Sequence, residues 1–233
     1  MSDIKIEDNF LSSIHLRRLQ ELFYPQISPI LSDVKKKFGD ISWRFGLVDH
    51  PSLYSQSTSN IPISEKTISY HNIDRVQNSI KKSGEDLPTY KLTDPKYTYQ
   101  LSCMIYHTTS LLTGIDPIVS SSAHFIIPLF FSSGKIKSPS IMRIKSNLQL
   151  KTTEIETSPF HIDYRSEDNG NEYDRLKTSI FYINSNDGYT EFKDGTKIES
   201  VANRLITFPS YMEHRGTSCT DKPFRLVINF NYF

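Results

Sequence analysis

The sequence predicts a mainly β protein with supporting helices, its core a jelly-roll or small barrel. Two observations carry that expectation. From Ile141 to the C-terminus, about seven short runs rich in β-branched and aromatic residues follow one another, divided by turn residues too closely spaced for crossover helices. Helical spacing of apolar residues is clear only near the N-terminus, where short helices can cover a sheet face. At 233 residues, 37% apolar and 12% aromatic, the chain is long and apolar enough for one packed domain. We divide it into an N-terminal helical or mixed support region, 1–140, and a jelly-roll core, 141–233.

Taken in order, Phe10–Tyr24 reads as a helix. Ile14, Leu19, Leu22 and Phe23 recur at helical spacing, and Ser12 or Ser13 can cap it. Pro25 and Pro29 break that pattern before a second short helix over Ile30–Phe38. Residues 51–64 are polar and rich in turn formers, as in a surface loop. Ile118–Phe131 fits a buried helix or a strand pair, with Pro128 against both. Strands are then expected at Ile141–Leu150, Phe160–Tyr164, Thr178–Ile183, Tyr189–Phe192, Ile198–Val201, Arg204–Phe208 and Phe224–Tyr232. The polar run Arg165–Lys177 interrupts them directly after Asp163 and is expected to overhang whatever Asp163 binds.

Composition removes several functions. Lys plus Arg total 27 against 26 Asp plus Glu, so no net field gathers nucleic acid or anionic membrane. The apolar run Phe125–Phe131 is far short of a bilayer span, and MSDIKIEDNF lacks the basic and apolar parts of a signal peptide. Two cysteines, Cys103 and Cys219, do not make a disulfide scaffold and are expected as free thiols of a cytoplasmic protein.

The chemistry lies in the last third. His161 and Asp163 are two apart on a predicted strand, so their side chains leave one face while Phe160 and Ile162 enter the packing. Imidazole and carboxylate together lack one ligand of a two-histidine, one-carboxylate iron triad. His214, 51 residues beyond Asp163 and past the Pro209 stop, is placed to supply it. Such a triad leaves the opposite metal positions open. Arg225 follows 11 residues later on the closing strand, in a row with Val227 and Asn229, opposite the apolar row Leu226, Ile228 and Phe230. A guanidinium turned into a cavity demands an anion, and a carboxylate matches its fork; Lys222 is the alternative, in a turn. The remaining histidines, His15, His50, His71, His107 and His124, are expected at the surface, in turns or loops, or, for His124, as a satisfied core residue.

These elements in this order resemble the iron- and 2-oxoglutarate-dependent dioxygenases, in their prolyl-4-hydroxylase-like branch. The resemblance runs through Phe160-His161-Ile162-Asp163-Tyr164, the hairpin Asp187-Gly188-Tyr189-Thr190-Glu191-Phe192, His214-Arg215-Gly216-Thr217 and Arg225-Leu226-Val227-Ile228-Asn229-Phe230. It covers 141–233. One glycine, Gly188, stands where the family often has two, and Tyr189 takes the second place. The interval from His214 to Arg225 is also slightly long for the family, which the turn Thr220–Pro223 can absorb.

The resemblance implies a double-stranded β-helix, cupin-like in shape, with His161, Asp163 and His214 on Fe(II) and Arg225 on the distal carboxylate of 2-oxoglutarate. Tyr182 matches a tyrosine that helps hold that carboxylate, and Asn147 is expected to line the same pocket. It implies a hydroxylase consuming dioxygen and releasing succinate and carbon dioxide. The substrate it favours is a prolyl residue of a protein or peptide, ahead of a free amino acid or small metabolite. The rival from another class is a catalytically silent jelly-roll protein that binds a partner.

Overall fold

A strand whose residues are buried on both faces needs two separate packing layers, and the closing strand Phe224–Tyr232 is such a strand. The fold is arranged around it. The computed structural model describes residues 3–23, 44–48, 98–108, 118–138, 140–163 and 175–233. The second helix expected at Ile30–Phe38, the 51–64 loop, His50, His71 and most of the 165–177 insertion fall outside those residues.

In chain order the elements are β1 (Lys5–Glu7), α1 (Ser13–Phe23), β2 (Arg44–Val48), β3 (Thr98–His107), β4 (Ile118–Val119) and α2 (Ala123–Ile127). A π-helical turn over Pro128–Ser132 follows, then β5 (Ile141–Leu150), β6 (Lys177–Tyr182) and β7 (Tyr189–Phe192). The chain closes with β8 (Lys197–Glu199), β9 (Arg204–Pro209), β10 (His214–Gly216) and β11 (Phe224–Tyr232). One sheet has the order β1-β9-β6-β11-β5-β3-β2, and a smaller one β10-β7-β8. Bridges Thr157↔Thr217 and His161↔His214 add the segment 157–161 to the free edge of β10. From β5 onward the chain therefore winds between two facing sheets: β5 in the larger, 157–161 in the smaller, β6 in the larger, β7 and β8 in the smaller, then β9, β10 and β11 alternately. That winding is the expected double-stranded β-helix. The first 140 residues add β1, β2, β3 and β4 to the larger sheet as well as helices to its outer face.

Two apolar layers hold the sheets. On the outer face, Leu226, Ile228, Phe230, Ile144 and Phe181 pack against Leu19, Leu22 and Phe23 of α1 and Ala123 and Ile126 of α2. Between the sheets, Ile180, Tyr182, Val227, Ile206, Phe208 and Phe192 form the second layer. Each fully buried large side chain contributes about 1.5–3 kcal/mol. Ser12 caps α1 by accepting the His15 N–H at 3.3 Å. Ile14, counted in the apolar stripe on spacing, is 64% exposed, because the stripe that meets the sheet is Leu19, Leu22 and Phe23. Ile118–Phe131 divides into the short strand β4, paired with β3, and a helical run from Ala123 onward, not a strand pair. α2 runs straight into the π-helical turn at Pro128, which has no N–H to continue the α-helical ladder, and Phe130 packs between Phe181 and Phe230 at 5.1 and 4.6 Å. Both cysteines are buried and unbridged. Among the described residues no helix is long and apolar enough to cross a membrane.

Asn203 joins the N-terminal segment to the core. Its backbone takes φ +67°, and its side chain both accepts from Leu11 N–H and donates to Leu11 C=O, each at 2.8 Å. Alanine there strains the left-handed backbone and leaves a buried N–H and C=O unsatisfied. Asn203→Ala is expected to lose about 2–4 kcal/mol in denaturant unfolding, while Asn203→Gly recovers only the backbone part.

Candidate metal and anion site

The hydrogen bonds that join the two strand segments also aim two imidazoles at one point. His161 N–H donates to His214 C=O at 2.9 Å and His214 N–H to His161 C=O at 3.0 Å. This brings the rings to 4.7 Å between centroids. Nδ1 of His214 lies 3.0 Å from the Met212 carbonyl, and Nδ1 of His161 lies 3.2 Å from that of Pro159. A carbonyl only accepts, so each Nδ1 carries the proton and each Nε2 keeps a lone pair. The His214 Nε2 is buried and has no hydrogen-bond partner. Burial lowers the His214 pKa, so that ring is held in its neutral, ligand form. Donor atoms of His161, Asp163 and His214 all lie within 4.8 Å of one another. A buried lone pair aimed at a carboxylate and a second imidazole is a donor set for a divalent metal, and its N, N, O chemistry suits iron.

Asp163 reaches the same point through a bend after the bridge at His161, not through a continuing strand. Its Oδ1 accepts from Arg143 at 2.8 Å, and its Oδ2 from Thr178 at 3.1 Å and Asn231 at 3.0 Å. Burial alone would raise its pKa. The Arg143 guanidinium, then the two imidazoles and the Asn231 bond, outweigh burial and hold the carboxyl well below the usual range. The expectation that Phe160 enters the sheet packing is not met. Its ring lies between two cations, Lys193 at 4.8 Å and Arg215 at 4.2 Å, since the 157–161 segment is an edge with little apolar cover.

At the other end of the interior Arg225 is 3% exposed. Its Nε donates to Ser200 Oγ at 2.8 Å, and its two terminal nitrogens to Gln149 Oε1 and Thr190 Oγ1 at 3.0 Å each. Those bonds use three of the five guanidinium N–H groups, all on neutral acceptors. No carboxylate of the described residues lies within salt-bridge distance, and desolvation lowers the pKa of the group. Lys222 does not compete, being half exposed and beside Asp221 in its turn. Tyr182 is fully buried, with Arg225 5.6 Å above its ring, but its hydroxyl donates to Thr190 Oγ1 at 2.8 Å. Thr190 thus accepts two bonds and keeps its own proton to donate. Thr190 is a hydroxyl left to meet an anion, with the Tyr182 hydroxyl beside it.

The sequence expectation placed Asn147 in this pocket, and β5 alternation puts it on the interior face. Arg143, Lys145, Asn147 and Gln149 share that face: Arg143 binds Asp163 at one end and Gln149 binds Arg225 at the other. Asn147 Oδ1 and Asn229 Oδ1 are buried without partners. Gln149, Arg143, Thr190 and Ser200 were not singled out from sequence. For the first two the signal was present, since they alternate with Met142, Ile144 and Leu148 on the predicted strand. His15 and His124 are exposed, the latter against the expectation of a core residue, and neither joins the triad.

No protein-family model matches the chain, and no curated protein matches it. Solved structures of prolyl hydroxylases and 2OG-Fe(II) oxygenases, the family the motifs resemble, align with it. One is a viral collagen prolyl hydroxylase from Paramecium bursaria Chlorella virus-1 in a 2OG complex, 14% identical over 99% of this chain and 96% of that one, with a TM-score of 0.42. A prolyl hydroxylase from Trichoplax adhaerens, in complex with a hypoxia inducible factor peptide fragment, is 14% identical over 100% and 84% at 0.48. A 2OG-Fe(II) oxygenase family oxidoreductase from Burkholderia pseudomallei is 12% identical over 74% and 82% at 0.43. Likeness this distant carries no argument about chemistry, which stands on the residues themselves.

Proposed function

We propose that this chain is an Fe(II)- and 2-oxoglutarate-dependent dioxygenase that hydroxylates a C–H bond. One observation carries the reading: a single interior holds both the His161, Asp163, His214 donor set and Arg225, a buried guanidinium with no carboxylate partner among the described residues. A metal site alone does not need the second, and a binding scaffold needs neither. When bound, iron with 2-oxoglutarate would supply the electrons that activate dioxygen, with succinate and carbon dioxide as coproducts.

The protein's residues hold and orient. His161 and His214 present Nε2, fixed by the Nδ1 protons on backbone carbonyls. Asp163 stays ionised under Arg143 and keeps its position through Thr178 and Asn231. Arg225 has two N–H groups left for the distal carboxylate, and Thr190 adds a hydroxyl proton. Tyr182 is a positioning residue acting through Thr190. Asn147 lines the pocket between the two ends. The order of motifs, prolyl-4-hydroxylase-like throughout 141–233, supports a prolyl residue of a protein or peptide as substrate.

Anaerobic addition of Fe(II) and 2-oxoglutarate is expected to produce a visible metal-to-ligand charge-transfer band. His214→Ala abolishes it, and Arg225→Met reaches it only at about tenfold or more cosubstrate, the loss of a charged bidentate contact. Folded, iron-loaded wild-type protein that gives no band would refute the assignment.

A further inference from the structure

The interior face of β5 carries more positive charge than the triad and Arg225 require. Arg143, Lys145 and Arg225 face one carboxylate among the described residues, Asp163, and Arg143 already binds it. Lys145 is left over. It is largely buried, its ammonium makes no hydrogen bond or ion pair with the described residues, and burial with Arg143 alongside brings its pKa down to about 8. A residue kept only for packing at such a position would be apolar, because an ammonium without a counter-ion is costly to desolvate.

Strand register says what it can reach. Lys145 pairs with Asn229 of β11, and Gln149, four residues on, binds Arg225. Four strand residues span about 13 Å. Arg225 and Lys145 stand on the interior face at the two ends of that interval, and Lys145 lies close enough to Asp163 to feel its charge. Two cations separated along one wall, one beside the metal ligands, match an acid with a carboxylate at each end. We propose that Lys145 binds the metal-side carboxylate of the 2-oxo diacid while Arg225 binds the far one. The proposal rests on the reading of this interior as a 2-oxoglutarate site and names the residue that holds its metal-side end.

Three ligands separate the two ends in calorimetric titration of Mn(II)-loaded protein, with competition where binding is weak. They are 2-oxoglutarate, 2-oxopentanoate, which lacks the far carboxylate, and 4-oxopentanoate, which lacks the metal-side one. Lys145→Met is expected to weaken 2-oxoglutarate and 2-oxopentanoate about tenfold or more, the loss of a charged contact, and to leave 4-oxopentanoate and Mn(II) affinity unchanged. Arg225→Met gives the mirror pattern, losing 2-oxoglutarate and 4-oxopentanoate. Lys145→Gln repeats the Lys145→Met result and Lys145→Arg stays near wild type. Ligand-free Lys145→Met should also melt above wild type, whereas a lysine retained for structure would make it melt below. Unchanged 2-oxoglutarate affinity in Lys145→Met and Lys145→Gln, or an equal loss of 4-oxopentanoate, overturns the role of Lys145 alone. Wild-type protein that binds no 2-oxoglutarate overturns the function as well.

Discussion

Replacing Asp163 with alanine is expected to weaken metal binding severely and to destabilise the metal-free fold by about 3 kcal/mol. The two effects share one cause. The Asp163 side chain is 5% exposed and serves Arg143, Thr178 and Asn231 at once. Its removal takes the carboxylate away from the Arg143 guanidinium and from beside Lys145, which is the costly way to break a buried pair. It also removes the only anionic donor of the set, so Mn(II) or Fe(II) affinity should fall about 100-fold or more. Asp163→Asn keeps an oxygen for Arg143 and should recover part of the stability but little metal affinity. The sign of the pH effect follows from the folded pKa, which lies below the unfolded value near 4. Asp163 then contributes its full stabilisation above about pH 5 and loses it as pH falls through the acid range. The wild-type and Asp163→Ala unfolding curves of metal-free protein should accordingly differ at pH 7 and draw together in acid. Wild-type metal affinity in Asp163→Ala would remove Asp163 from the ligand set.

The strands of 141–233 were legible because each is short, alternating and bounded by turn residues. The interior face of β11 was legible because Arg225, Val227 and Asn229 alternate with Leu226, Ile228 and Phe230 without exception. The same logic on β5 stopped at Asn147. Arg143 and Lys145 are charged, and charged residues mark a wet face unless something buried needs them. Only the position of β5 against β11 and β3 turns that row inward. Thr190 lay in the hairpin motif, yet its role depends on which neighbours use its lone pairs, and that is three-dimensional information. Phe160 failed for the opposite reason. Period-2 alternation assumes a strand with cover on the far side, and the 157–161 segment is an edge held by bridges at Thr157 and His161.

Gly188→Ala should separate the two halves of the site, lowering 2-oxoglutarate affinity about tenfold or more while metal affinity stays within about threefold. The residue is glycine for space: a Cβ there would overlap the Ser218 carbonyl oxygen and stand 2.8 Å from Arg225 Cδ and 2.8 Å from Asn186 Oδ1. The first of these is backbone and cannot swing aside. Either the hairpin lifts, breaking the 2.8 Å bond from Tyr189 N–H to Thr217 Oγ1, or Arg225 moves and its fork to Ser200, Gln149 and Thr190 opens. Both routes displace Thr190 or Arg225, the two anion-facing groups, and overpacking of this kind costs about 1–3 kcal/mol of stability. Tyr189, where the family resemblance has a second glycine, is not under the same constraint: it is half-buried, with Lys197 4.7 Å above its ring. The triad is anchored elsewhere, through Thr178, Asn231 and the His161↔His214 bridge. Calorimetry of Mn(II) and then of 2-oxoglutarate on the same preparation reads both ends. If the two affinities fell together, Gly188 would be holding the barrel as a whole. The division of the interior into a metal end and an anion end would then be wrong.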